Sequence, residues 1–178
     1  MEDTALLVID MQTALVQENP YNINNLLKNI EHIITLCRDN SLEAIYIRHD
    51  GGADDELECG TKGWQIYKTL RPMSDEKIFE KKFNSAFKET KLKEYLESKN
   101  IKRLIITGMQ TEYCMDASIK VAFEYGYEII IPKETNTTYD TQFLTGQELY
   151  EFYNDKIWDG RYAQIMTIEE LERKIKSR

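Results

Sequence analysis

The sequence predicts a three-layer α/β/α sandwich on one six-stranded, mostly parallel sheet, with strand order 3-2-1-4-5-6. Two observations lead there. Short runs of strand length, TALLVI at Thr4 to Ile9 and LIIT at Leu104 to Thr107, are apolar without the alternation of a half-wet strand, so they suit strands covered on both faces. Between such runs lie segments with apolar residues at helical spacing, and strands alternating with helices imply a parallel sheet. At 178 residues the chain can bury one sizeable core, which makes residues 1–178 a single domain.

The elements follow in order. The first strand stops abruptly at Asp10, which puts a carboxylate at its C-terminal end. Asn19-Pro20 marks a turn, Asn22 is a plausible cap, and Ile23, Leu26, Leu27, Ile30, Ile33, Ile34 and Cys37 form the apolar face of a helix. Cys37 on that face reads as core filler, and His32 of the same helix as structural. Glu43 to Arg48 is a second strand leading into His49-Asp50-Gly51-Gly52, where a lone histidine is more often a hydrogen-bonding residue than a catalyst. Ala53 to Met73 is polar and irregular apart from Trp64, Ile66, Tyr67 and Leu70, and it carries Cys59, read as a spectator. Trp64 is either a core anchor or a flat wall against a substrate.

Lys77 to Lys81 is a short third strand, followed by Phe83-Asn84-Ser85-Ala86-Phe87 and a helix capped by Thr90 with Leu92, Tyr95 and Leu96 inward. The fourth strand, Leu104 to Thr107, is closed by Gly108 as a turn residue. A helix then starts with Thr111 as N-cap, its apolar face made by Met115, Ile119, Ala122 and Phe123. Tyr127 to Ile131 is a fifth strand ended by Pro132. Lys133 to Leu144 is a polar loop, Phe143 to Tyr153 holds a further helix, and Tyr162 to Met166 is the sixth strand. Thr167 caps the last helix, with Ile168, Leu171 and Ile175 inward.

Composition narrows the function. A formal net charge of −8 argues against broad contact with nucleic-acid phosphates or anionic membranes. No apolar run approaches the ~20 residues that span a bilayer, and the acidic start Met1-Glu2-Asp3-Thr4 lacks the basic region of a secretory signal. Three widely spaced cysteines make no disulfide framework, so a reducing cytoplasm is the expected compartment. No G-x-G-x-x-G follows the first strand, which argues against a dinucleotide binder.

Cys114 is the residue that invites chemistry. It lies in the first turn after a strand, where unpaired N–H groups and the helix dipole would favour a thiolate, although a buried structural cysteine fits equally. In an order with strands one and four adjacent, Asp10 and Cys114 can share one crevice at the carboxyl ends of the strands. A thiol attacking a carbonyl needs a base, a cation and oxyanion donors. Asp10, a lysine near the end of strand three and the backbone of Gln110 to Cys114 offer these.

Three blocks, ALLVIDMQ at Ala5 to Gln12, EKKFNSAFKET at Glu80 to Thr90 and ITGMQTEYCMDASIKVAFEYGY at Ile106 to Tyr127, resemble in order and spacing the signatures of the isochorismatase-like cysteine hydrolases, which include nicotinamidases. The resemblance implies Asp10 as general base, Cys114 as nucleophile and Lys81, four residues before the Ser-Ala-Phe run, as third member. It also implies a cis peptide between Met109 and Gln110, with the N–H groups of Gln110 and Cys114 as oxyanion hole. Trp64, Phe87 and Tyr113 are candidates for the pocket wall, each with a core alternative. The nicotinamidase branch carries an Asp-x-His metal motif that Arg48-His49-Asp50 does not match, so no metal and no cofactor are expected. The expected function is hydrolysis of a C–N bond in a small-molecule amide through a thioester, by a homo-oligomer. The alternative is a non-catalytic binding or scaffold member of the same fold.

Overall fold

Six consecutive residues that are all buried build the central strand, β1 (Thr4–Ile9). The computed structural model describes residues 3–177. β1 pairs in parallel with β2 (Glu43–His49) on one side and β4 (Arg103–Met109) on the other. β3 (Lys77–Lys81) lies outside β2, β5 (Glu128–Pro132) outside β4, and β7 (Gln164–Met166) beyond β5. The path β3-β2-β1-β4-β5-β7 is therefore the expected six-strand order, with β7 in the sixth place. A short seventh strand, β6 (Asn136–Thr137), pairs with the end of β4 inside what reads as a polar loop.

Alternation along β1 feeds two cores. Leu6 and Val8 face the side covered by α2 (Ile23–Asp39) and α6 (Ile168–Lys176), while Ala5, Leu7 and Ile9 face α3 (Leu92–Ser98) and α4 (Asp116–Glu124). α2 buries Ile23, Leu26, Ile30, Ile33, Ile34, Leu36 and Cys37 on one stripe. Each fully buried aliphatic chain of this kind contributes about 1.5–3 kcal/mol, and that seam holds the helix to the sheet. The remaining helices are short: α1 (Thr13–Gln17), too brief to show a period in the sequence, and α5 (Gly146–Phe152).

Several helix ends differ from expectation. Thr167 caps α6 in a reciprocal capping box with Glu170, as read. Asn22 stands at the cap of α2 in a left-handed conformation without a side-chain bond. α3 begins at Leu92, and the Thr90 hydroxyl accepts its N–H. Phe123, expected inward, is exposed and packs edge-on against Tyr162.

Gly108 corrects a turn assignment, since β4 runs through it to Met109. Its φ is +128°, and a Cβ there would lie 2.0 Å from the Ile9 carbonyl oxygen, so the close approach of β1 and β4 admits only glycine. No helix among the described residues is long and apolar enough to cross a membrane.

Candidate active site

Asp10 leaves β1 with φ 51°, a left-handed turn that aspartate tolerates better than most residues. Its N–H donates to the Ile47 carbonyl at 2.9 Å, which ties the turn to β2. The Asp10 side chain is buried, and its Oδ2 lies 2.6 Å from the Nζ of Lys81, itself fully buried. The other oxygen, Oδ1, is buried without a hydrogen-bond partner. Lys81 ends β3 opposite His49 in register, whereas its neighbour Lys82 points to solvent.

The Lys81 ammonium also lies 3.1 Å from Cys114 Sγ, 3.1 Å from the Phe83 carbonyl and 3.0 Å from His49 Nδ1. Three sequence-distant residues, Asp10, Lys81 and Cys114, thus meet at the carboxyl ends of β1, β3 and β4.

Cys114 sits in a π-helical turn, Thr111–Met115, that opens α4. Thr111 does not cap this turn. Gln110 holds the cap position, and the Thr111 hydroxyl donates to Asn136 Oδ1 at 3.0 Å. Asn136 and Asn154 exchange two amide hydrogen bonds of 3.0 Å, and Asn154 also donates to the Tyr150 carbonyl. All three polar side chains are buried and mutually satisfied, so they brace the turn from the β6 side. From the other side, Trp158 Nε1 and Lys120 hold Asp116, and Ser118 Oγ accepts the Ala86 N–H. The Met109–Gln110 peptide is cis.

The sequence leaves a thiolate and a buried thiol equally open, and the surroundings favour the second. Burial first, and then the Asp10 charge, push the Cys114 thiol up to about 12 from an ordinary 9.0, against the pull of Lys81. Burial and the Asp10 carboxylate thus favour the thiol form over the thiolate.

The three wall candidates separate. Tyr113, next to the cysteine, is exposed. Phe87 packs in the core against Tyr127 and Tyr125. Trp64 is buried under the Arg48 guanidinium, 3.3 Å above its ring, and its carbonyl accepts from Gln12. Of the other cysteines, Cys37 is buried in the core and Cys59 is exposed.

Two neighbours were not singled out as site residues in the sequence. The Gln12 amide accepts from the His49 N–H and donates to the His49 and Trp64 carbonyls, fixing the end of β2. Asn84 Oδ1 lies 4.0 Å from Cys114 Sγ on the solvent side. Only their place in the family-like blocks ALLVIDMQ and FNSAF could have signalled them. Asp10, His49 and Cys114 carry metal-type donor atoms within 4.8 Å of one another. The Lys81 ammonium already contacts all three residues, so a divalent ion would meet like charge there.

The isochorismatase domain model matches residues 4–152. The chain belongs to the isochorismatase family. The family protein YrdC of Bacillus subtilis is 28% identical over 96% of this chain and 95% of its own. Nicotinamidase 3 of Arabidopsis thaliana is 25% identical over 96% and 88%. Streptothricin hydrolase of Streptomyces noursei is 26% identical over 76% of this chain, which spans 50% of that protein. A crystal structure of an isochorismatase family protein superimposes with a TM-score of 0.87 at 28% identity, covering 94% of this chain and 99% of that one. The family's relatives thus include amide-acting hydrolases, and the fold is theirs.

Proposed function

We propose that this isochorismatase-family protein is a cysteine hydrolase that cleaves a C–N bond of a small amide through a thioester on Cys114. The observation that carries the reading is the single buried ammonium of Lys81, 2.6 Å from Asp10 and 3.1 Å from Cys114. The names of relatives such as nicotinamidase and ureidoacrylate amidohydrolase supply the bond type.

Each group has one task. Asp10 takes the Cys114 proton, with Oδ1 as the open acceptor, while Lys81 stabilises the thiolate as it forms. The sulfur adds to the carbonyl carbon, and the N–H groups of Gln110 and Cys114 receive the oxyanion; losing one such donor commonly costs about 3 kcal/mol. The C–N bond breaks as the nitrogen takes the proton from Asp10, leaving an acyl thioester. Asp10 then removes a proton from water, which attacks the thioester; the C–S bond breaks, the carboxylic acid leaves, and the proton on Asp10 passes to the sulfur to restore the thiol.

The test is ammonia release from a panel of small primary amides, ureides and lactams, with wild type and Cys114→Ala run side by side. Turnover by wild type and none by the variant, with unchanged circular dichroism, is the expected result. Equal release by both eliminates the covalent scheme. The raised thiol also favours a second reading, a binding protein without turnover; ligand binding with no turnover across the panel selects it.

A further inference from the structure

Lys81 has three N–H protons and four acceptors within reach: Asp10 Oδ2 at 2.6 Å, His49 Nδ1 at 3.0 Å, the Phe83 carbonyl at 3.1 Å and Cys114 Sγ at 3.1 Å. Two of these, the aspartate and the sulfur, belong to the proposed chemistry; the carbonyl is fixed backbone. His49 is the remaining side chain in contact with the ammonium. It is also unusually well held, because the Gln12 amide grips its N–H at 2.9 Å and its carbonyl at 2.9 Å. A residue gripped on both backbone groups and aimed at a buried ammonium is built to present one ring nitrogen in one place.

We infer that His49 is a positioning residue of this site: its neutral Nδ1 accepts a Lys81 proton and so fixes the ammonium between Asp10 and Cys114. The inference rests on the hydrolase reading for its purpose but not for its geometry. For Nδ1 to accept, the ring proton must sit on Nε2. The charged groups acting on His49 are Lys81 from β3, Asp10 from β1, Asp50 on its own strand's exit and Asp55 from the following loop. Burial and Lys81 outweigh the three carboxylates and hold His49 below its ordinary 6.5, so the neutral ring is the working form at pH 7. Once protonated, Nδ1 becomes a donor facing a cation, and the tether turns into repulsion.

Two variants separate this role from simple packing. His49→Leu keeps apolar bulk and removes the acceptor; His49→Asn keeps an acceptor that does not titrate. Two readouts are taken on the full chain, iodoacetamide modification of Cys114 at pH 8.5 and kcat/KM against pH with the best substrate of the ammonia screen. With His49→Leu, modification slows roughly tenfold, the scale of one lost hydrogen bond to a charged group. His49→Asn recovers most of that rate. In wild type, His49 protonation adds to the acid-side fall of kcat/KM, and in His49→Asn that contribution is gone, so the fall becomes shallower while the part due to the general base remains.

Thermal unfolding confirms that both variants fold. Wild-type modification rates in His49→Leu, or an Asn variant as impaired as the Leu variant, overturn the inference. Because modification needs no substrate, a chain that hydrolyses nothing in the screen refutes the hydrolase reading while still reporting on His49.

Discussion

Removing the buried ammonium puts the largest electrostatic feature of the molecule to a quantitative test. In Lys81→Met the side-chain volume is nearly kept, but Asp10 loses its 2.6 Å partner. Its second oxygen has no partner to fall back on, and neither side chain is more than 2% exposed, so solvent does not screen the loss. Stranding one member of a buried pair costs about 3–5 kcal/mol. For a domain of this length that corresponds to a drop in Tm of roughly 6–20 °C. The companion Asp10→Asn/Lys81→Met replaces both charges, and the neutral pair should regain most of the stability. Urea unfolding of wild type, both single variants and the double variant closes the cycle and yields the coupling directly. A loss below about 1 kcal/mol in Lys81→Met, or a double variant no more stable than that single one, would refute the picture of a mutually dependent buried pair.

Other expectations follow from the same geometry. Gly108→Ala forces a Cβ to within 2.0 Å of the Ile9 carbonyl at a φ of +128°, so β1 and β4 must part; purified variant should be scarce, or melt well below wild type in a thermal scan. Asn154→Ala leaves the Asn136 amide without its reciprocal partner and should cost about 1–3 kcal/mol by urea unfolding, with a parallel loss of activity because Asn136 also holds Thr111. Burial raises the Cys37 thiol from 9.0 to about 12. A group raised in the folded state stabilises below its unfolded value and loses that contribution as pH climbs between the two, so wild type should weaken from about pH 9 upward, and Cys37→Val should weaken less over that window. A pH-independent difference between the two proteins from 8 to 11 would remove the thiol as the cause.

The parts of the fold that were legible share one trait: their pattern is strong over several residues. β1 holds five apolar residues in unbroken succession, Ala5 to Ile9, and α6 opens on Thr167 with Glu170 three residues on, a local arrangement that needs no partner. What escaped depends on partners elsewhere. β6 is the dipeptide Asn136-Thr137, polar by composition and a strand only because β4 lies beside it. The π-helical turn at Thr111 owes its form to Asn136, and the hydroxyl that looked like a helix cap is spent on that contact.

At the site, Asp10 and Cys114 could be paired from strand order alone, and the Lys81 assignment came from resemblance. His49 was read as a hydrogen-bonding residue, but its partner could not be named, because Lys81 stands 32 residues away and meets it only through the β2–β3 register. For Cys114 the two readings, a thiolate at a helix start and a buried thiol, stayed open in the sequence for a related reason. Helix position is local and visible in sequence, whereas burial beside a carboxylate is a property of the assembled chain.

The register of β1, β3 and β4 also bears on the chain during its synthesis. Residue 10 emerges from the ribosome first, residues 49 and 81 next, and the sulfur of residue 114 last, after most of the sheet's inner strands exist. A chain truncated before that point carries the Asp10 carboxylate and the Lys81 ammonium without the Cys114 sulfur. The sulfur is thus the last of the three groups to be made, and both charged groups that flank it in the fold are already in the chain when it appears.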